Sequence, residues 1–374
     1  MRNFIYGAFL LTLLFGAGCA AKKASISKNG NENLFSEQYI KKVVTKATEW
    51  QLNNPKHHPL DWLNGTFYAG MFSAWETTKS DAIYKSLINW GASEHWQPYK
   101  RWFHADDHTI IQTYVDLYRL EKRPEMIEPA IDTLLKFISE PYPARRDFEV
   151  IKWWWCDALF MAPPALVKLG ITTGNNDLLK ASDKYFKESY ELLYNKEEKL
   201  FARDMRFLAD YNGDGPKEEN GELIFWSRGN GWVMGGLVRI LDELSADYSA
   251  SPFYENLLKE MSARIVDLQQ PDGLWRASLL DPDSYPGGEV SGSGFFCYAL
   301  AWGINNGVLD RETYLPAVKK AWIALTGCVN EEGRVGWVQP IGANPKRNFS
   351  EDSWEVYGTG AFLLAAGEVN KLKL

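Results

Sequence analysis

The connections between predicted helices alternate in length along this chain, and that alternation leaves few folds open. From about residue 36 onward, apolar residues recur with the 3.6 period of helices, while runs with the two-residue period of strands are scarce. The pattern predicts twelve helical segments, at 36–53, 65–78, 81–92, 106–121, 124–139, 157–170, 175–194, 229–246, 252–269, 291–306, 312–327 and 357–371. Connections after the second, fourth, sixth, eighth and tenth segments are short: 79–80, 122–123, 171–174, 247–251 and 307–311. Those before the even-numbered segments are long: 54–64, 93–105, 140–156, 195–228, 270–290 and 328–356. Even-numbered segments are rich in Gly, Ala and aromatics, as in Gly65-Thr-Phe-Tyr-Ala-Gly-Met-Phe-Ser-Ala-Trp75, whereas odd-numbered ones are amphipathic and charged, as in Asp177-Leu-Leu-Lys-Ala-Ser-Asp-Lys-Tyr-Phe-Lys187. A helix apolar on every side belongs inside; one with a polar face belongs outside. Six hairpins with an inner and an outer ring make an all-α (α/α)6 barrel over 36–374. Every long loop then lies at one end, over the N-termini of the inner helices. Loops on a rigid frame are where function concentrates, and helix N-termini favour anions.

Residues 1–19 read as an export signal. Arg2 is followed by an apolar stretch, Ile5 to Phe15, that is short for a bilayer span, and then by Gly16-Ala-Gly18 and Cys19. Small residues ending in Cys resemble a bacterial lipobox, with Cys19 the lipidated first residue of the mature chain; ordinary secretion with an incidental Cys is the other reading. Residues 20–35 are small and polar and suit a flexible tether. The expectation is an exported bacterial lipoprotein, periplasmic or attached to the outer membrane, touching a membrane only through that anchor. Three further Cys cannot all pair and stand in apolar surroundings, so buried hydrophobes are expected rather than disulfides. The five His lack zinc spacing, and neither a metal nor a cofactor is expected. A net charge of −7 with scattered basic residues argues against a nucleic-acid partner.

Carboxylates at the starts of inner helices are the natural chemical candidates. Asp157 follows Trp153-Trp-Trp155 and Cys156 and opens an apolar run. Burial beside indoles raises such a carboxyl's pKa and the helix N-terminus lowers it, so it suits a general acid; a plain helix N-cap fits the spacing equally well. Asp106-Asp107 follows Trp102-Phe-His104, and one of the two is placed to partner Asp157, since paired carboxylates serve glycoside hydrolysis. The other is expected to satisfy the helix dipole. In Phe225-Trp-Ser-Arg-Gly-Asn-Gly-Trp232, Arg228 offers a bidentate grip on a carboxylate, and Trp226 and Trp232 offer stacking faces; the alternative is a Gly-rich helix start with Arg228 paired to an internal Asp. Trp275, in Asp272-Gly-Leu-Trp-Arg276, and Tyr285, in Asp281-Pro-Asp-Ser-Tyr285, lie in a long loop facing the same mouth. Trp102 and Trp155 adjoin the carboxylates. With 16 Trp in the chain, the bland reading for any single one is core packing.

Cys156-Asp-Ala-Leu-Phe-Met161, Trp226-Ser-Arg-Gly-Asn-Gly-Trp232, Asp272-Gly-Leu-Trp275, Asp283-Ser-Tyr285 and Tyr357-Gly-Thr-Gly-Ala-Phe362, in this order on a six-hairpin frame, resemble the unsaturated rhamnogalacturonyl hydrolases of glycoside hydrolase family 105, relatives of the family 88 unsaturated glucuronyl hydrolases. The resemblance runs from about residue 36 to the C-terminus. It implies removal of the 4,5-unsaturated uronic acid that polysaccharide lyases leave at a non-reducing end. In that reaction an Asp protonates the C4=C5 bond and activates the water that adds at C5. By position Asp157 matches the catalytic Asp and Asp106 the second acid, with Asp107 a close competitor. Arg228 and Trp226 match the region that meets the uronate. Where members often carry a His after a Leu-Phe pair, Leu200-Phe-Ala-Arg203 places Arg203, a second cation for the carboxylate. The implied partner is an oligosaccharide with a terminal unsaturated uronate. The competing readings are a conventional glycosidase or sugar epimerase on the same barrel, and a non-catalytic glycan-binding lipoprotein.

Overall fold

A computed structural model describes residues 34–374. The export signal, Cys19 and most of the tether lie outside the described residues. The helices are α1 (Glu37–Asn53), α2 (Trp62–Thr78), α3 (Asp81–Ser93), α4 (Ile111–Glu121), α5 (Glu128–Ser139), α6 (Ala158–Met161), α7 (Pro163–Thr173), α8 (Asn176–Leu193), α9 (Ser227–Leu241), α10 (Ser251–Asp267), α11 (Val290–Asn305), α12 (Arg311–Gly327) and α13 (Val356–Lys371).

The predicted barrel is present. An inner ring runs α2, α4, α6/α7, α9, α11 and α13, and closes by packing α13 on α2. The other helices lie outside: α1 on α2 and α13, α3 on α2, α8 on α7, α10 on α9 and α11, and α12 on α11 and α13, with α5 on α8. Burial separates the two rings as the composition required. Every residue of α9 from Ser227 to Ile240, and of α11 from Val290 to Ile304, is buried. Outer α8 buries Leu178, Leu179, Ser182, Tyr185, Phe186, Ser189 and Leu193, one helical stripe, and leaves its charged face wet. Glycine sets how closely the inner helices approach. A methyl group at Gly236 would run into the Leu159 carbonyl, and one at Gly360 into that of Thr66.

Three departures from the periodicity have local causes. The sixth segment is two helices, because Pro163 and Pro164 cannot donate to the turn before them and break it at Ala162. The fourth opens with a separate 3-10 turn, Ala105–His108, before α4 begins. A two-stranded hairpin, β1 (Tyr194–Asn195) with β2 (Leu200–Phe201), sits in the long loop after α8. Each long loop still leads into the N-terminal end of an inner helix. Cys156 and Cys297 are buried free thiols, and Cys328 is also free.

Candidate active site

Asp157 immediately precedes α6, yet its side chain makes no capping bond. The N-cap reading therefore does not account for it. Two backbone links place it. The Cys156 N–H donates to the Arg203 carbonyl at 2.8 Å, and Trp155 bridges Asp204. These stitch the Trp-rich segment to the strand that leaves the hairpin. Asp157 Oδ2 consequently faces Arg203 Nε at 3.4 Å and the Cys156 thiol at 3.6 Å. Burial pushes the Asp157 carboxyl upward, and the charges of Arg203 and Arg228 pull it partly back.

The structure separates the two adjacent acids. Asp107 is 1% exposed and takes the Arg101 backbone N–H at 2.8 Å and its guanidinium through Nε at 3.1 Å and NH2 at 2.5 Å. It is a fully occupied structural anchor. Asp106 is left with Arg101 NH2 at 3.7 Å and His104 Nδ1 at 3.4 Å. Burial lifts its carboxyl to about 7; Arg101 opposes this, and the negative charges of Asp107 and Asp157 add to it. His104, tilted against Trp155 at 4.8 Å, is driven down to about 3 by burial and by Arg101, so it is neutral in the physiological range.

Arg228 is completely buried. Its NH1 donates to the Gln339 carbonyl at 2.6 Å and to Tyr357 Oη at 3.0 Å, its NH2 donates to the Pro340 carbonyl at 3.0 Å, and only Nε lacks a partner. It lies between the Trp226 and Tyr357 rings, 4.5 and 4.6 Å from their centroids. Its fork thus holds the loop before α13, and its charge reaches Asp157 through space.

The predicted aromatics divide. Trp155, between Trp154 and Cys156, is buried against His104 at 4.8 Å. Trp226, Trp232 and Trp275 are buried, with Trp232 packed on Trp62, Phe160, Phe295 and Tyr357, and Trp275 donating Nε1 to the Ile265 carbonyl at 2.7 Å. They present no free face to a ring. Trp102 is partly exposed beneath Lys136, and Tyr285 donates its hydroxyl to Glu218 at 3.0 Å, under Arg347. The geometry therefore brings together Asp106, Asp157, Arg203 and Trp155, with Arg228 behind them.

The sequence reading did not select Arg101, His104 or Trp62. Trp62 begins α2 at the same end of the barrel and stacks on Tyr357 at 5.6 Å. Its signal was position, since it opens an inner helix as Asp157 does. A cavity of about 280 Å³ lies at the opposite end of the barrel, lined by Asp116, Arg119, Lys168, Arg239 and Glu243. Most of its charges are paired with one another, while Glu76, also in its lining, is pushed upward by burial.

A family model described as Glycosyl Hydrolase Family 88 matches residues 35–373. The chain is 46% identical over 376 residues to an unsaturated 3S-rhamnoglycuronyl hydrolase of Formosa agariphila, covering 97% of this chain and 98% of that protein. A protein of the same name from an Alteromonas species is 34% identical over 364 residues, covering 89% of this chain and 86% of that protein. A solved structure named as a polysaccharide lyase is 31% identical, covers 90% of this chain and 98% of its own, and superposes with a TM-score of 0.82.

Proposed function

Because the chain belongs to glycosyl hydrolase family 88, whose members remove unsaturated uronic acids from polysaccharide-lyase products, we propose that its carboxyl pair, Asp106 and Asp157, carries that hydrolysis here. The reaction needs one proton delivered to C4 of the C4=C5 bond and one taken from the water that adds at C5. The resulting hemiketal opens to a ketone, C1 becomes a hemiacetal, and the hemiacetal expels the aglycone. The observation that carries the assignment is the placement at the mouth of the barrel of buried Asp157, facing Arg203 at 3.4 Å, and partly buried Asp106, whose nearest cation is bound to Asp107; burial raises both carboxyls. Arg203 and Arg228 supply positive potential for the uronate carboxylate. The names of the two relatives, unsaturated 3S-rhamnoglycuronyl hydrolases, point to an unsaturated glycuronyl residue joined to rhamnose.

Hydration destroys the ultraviolet absorbance of the conjugated enol-carboxylate. The purified protein is expected to bleach it in lyase digests and to release one new reducing end per chromophore lost. Elimination, the chemistry in the name of the structural relative, would instead create that absorbance, so growth of the signal on intact polysaccharide would overturn the reading.

Export with a lipid on Cys19 belongs to the same proposal. It is supported by Arg2, the apolar Ile5–Phe15 stretch and the small residues before Cys19. Incorporation of labelled fatty acid into the wild type and not into Cys19→Ser is the expected result, and equal labelling of both would sink it.

A further inference from the structure

Among the described residues, one side chain alone gives Asp157 a hydrogen bond, and it is not an arginine. Arg203 Nε lies 3.4 Å from Oδ2 without bonding it, and the same guanidinium donates NH1 to Asp204 at 2.7 Å. Arg228 has its fork closed on the carbonyls of residues 339 and 340. The donor is the thiol of the preceding residue. Cys156 Sγ stands 3.6 Å from Asp157 Oδ2.

The sulfur is held from three directions. Cys156 has no exposed surface. Its N–H donates to the Arg203 carbonyl at 2.8 Å, and its own carbonyl accepts the Leu159 N–H at 3.0 Å. Helix α9 passes against it at Gly229, where a methyl group would lie 3.0 Å from Sγ. Burial, and then the negative charge of Asp157, push the thiol well above its ordinary value, so it keeps its proton and remains a donor through the physiological range.

We propose that Cys156 is a positioning residue for the reaction: its S–H holds Oδ2 of Asp157, so that the carboxyl meets the substrate in one orientation. The inference rests on the reading of Asp157 as an acid–base group. A second consequence follows from the same bond. A donor favours the charged form of a carboxyl, so the thiol opposes the burial that raises Asp157, together with Arg203 and Arg228. The groups that face Asp157 are Cys156, Arg203, Arg228 and Asp106, and those that face the thiol are Asp157, Arg203 and Asp204.

Carbon NMR of the full chain carrying carboxyl-labelled aspartate tests the contact without substrate. The Asp157 resonance is the one missing from Asp157→Asn. In Cys156→Ala its titration midpoint is expected to rise by roughly half to one pH unit, and in Cys156→Ser, which keeps a donor, to return most of the way. Turnover reads the same bond. With a lyase product, kcat of Cys156→Ala should fall roughly three- to tenfold with KM unchanged, and Cys156→Ser should recover most of it. An Asp157 midpoint in Cys156→Ala equal to that of the wild type would overturn the proposal. Equal losses of kcat in the Ala and Ser variants at every pH would do so too, since that is the mark of packing alone. Should Cys156→Ala not fold, Gly229→Ala keeps the sulfur but crowds it, and the same upward shift is expected there; an unmoved midpoint would again count against the proposal. If the wild type acted on no lyase product, the hydrolase reading would fail instead, and the NMR midpoints would still decide whether the thiol holds the carboxyl.

Discussion

The two ends of the barrel are built from the same groups and reach opposite electrostatic results. At the short-turn end, Lys168 Nζ sits 2.6 Å from Asp116 and 2.8 Å from Glu243, and Arg119 grips Glu243 through NH1 at 2.8 Å and NH2 at 2.7 Å. Burial pushes the Glu243 carboxyl up, but its bonds to Arg119 and Lys168 overcome this and bring it to about 2. At the long-loop end, burial acts on Asp106 in the same sense, and Arg101, already committed to Asp107, is too weak a partner to reverse it. A buried carboxylate with its own cations is an anchor; one whose cation is spent elsewhere keeps chemical freedom. The Asp116–Lys168–Glu243–Arg119 network at the short-turn end is therefore an anchor, and the incompletely paired carboxyl at the long-loop end is the one the proposed function uses.

The largest test of this contrast is Asp157→Asn, which keeps shape but removes the acid–base group. Turnover of the unsaturated uronate is expected to fall by about 10²–10⁴-fold, with circular dichroism and oligosaccharide binding retained. Near-wild-type turnover would remove Asp157 from the mechanism.

The reciprocal change is Lys168→Met. It removes the cation shared by two buried carboxylates, leaving Glu243 with Arg119 and Asp116 with Arg239 alone, and the loss is expected to be at most about 3–5 kcal/mol, to be read in a denaturant titration. Turnover per folded molecule should be unchanged at a permissive temperature. If Lys168→Met lowered kcat while leaving the midpoint in place, the two ends would not be separable as stated.

Asp106→Asn should move stability the other way. Its folded carboxyl is raised to about 7 from an ordinary value of 3.8, so the unfolded state gives up this proton first, and folding loses stability as pH rises between those two values. Replacement by Asn is expected to stabilise on the order of 1–3 kcal/mol above neutrality and by little in mild acid. Glu243 has the opposite sign: its contribution is present above the usual glutamate range and is lost as pH falls toward about 2. A stability gain for Asp106→Asn that did not vary with pH would point to packing instead of charge.

The contrast between the ends was legible in the sequence only as far as its periodicity reached. Alternating loop lengths and the two helix compositions define the barrel and its functional end, because both follow from local pattern. The residues alone did not decide between Asp106 and Asp107, and only the family resemblance favoured Asp106. The choice depends on Arg101, which a turn folds back onto Asp107, and adjacent identical residues carry no spacing signal. Arg228 was read as a grip on a substrate carboxylate or as the partner of an internal Asp, but its fork is bound to carbonyls of residues 339 and 340, more than a hundred positions away. Trp226, Trp232 and Trp275 looked like sugar platforms because they adjoin polar motifs. Their burial is set by inner helices and loops packing around them, which a linear pattern does not record.

The smallest expected effect is the most exacting control on the comparison. Lys41 meets Glu37 at 2.6 Å, the same separation as Lys168 and Asp116. The difference is exposure, 40% and 69% for the surface pair against 7% and 8% for the buried one. Water solvates each surface charge as well as its partner does, and two mobile side chains lose entropy on meeting, so the surface pair adds little to stability. Lys41→Met should leave both the denaturation midpoint and the turnover where they are, at low and at high salt. If it destabilised the fold as Lys168→Met does, then distance, rather than burial with a committed partner, would govern both ends, and the physical distinction between anchor and catalyst drawn from Glu243 and Asp106 would fail.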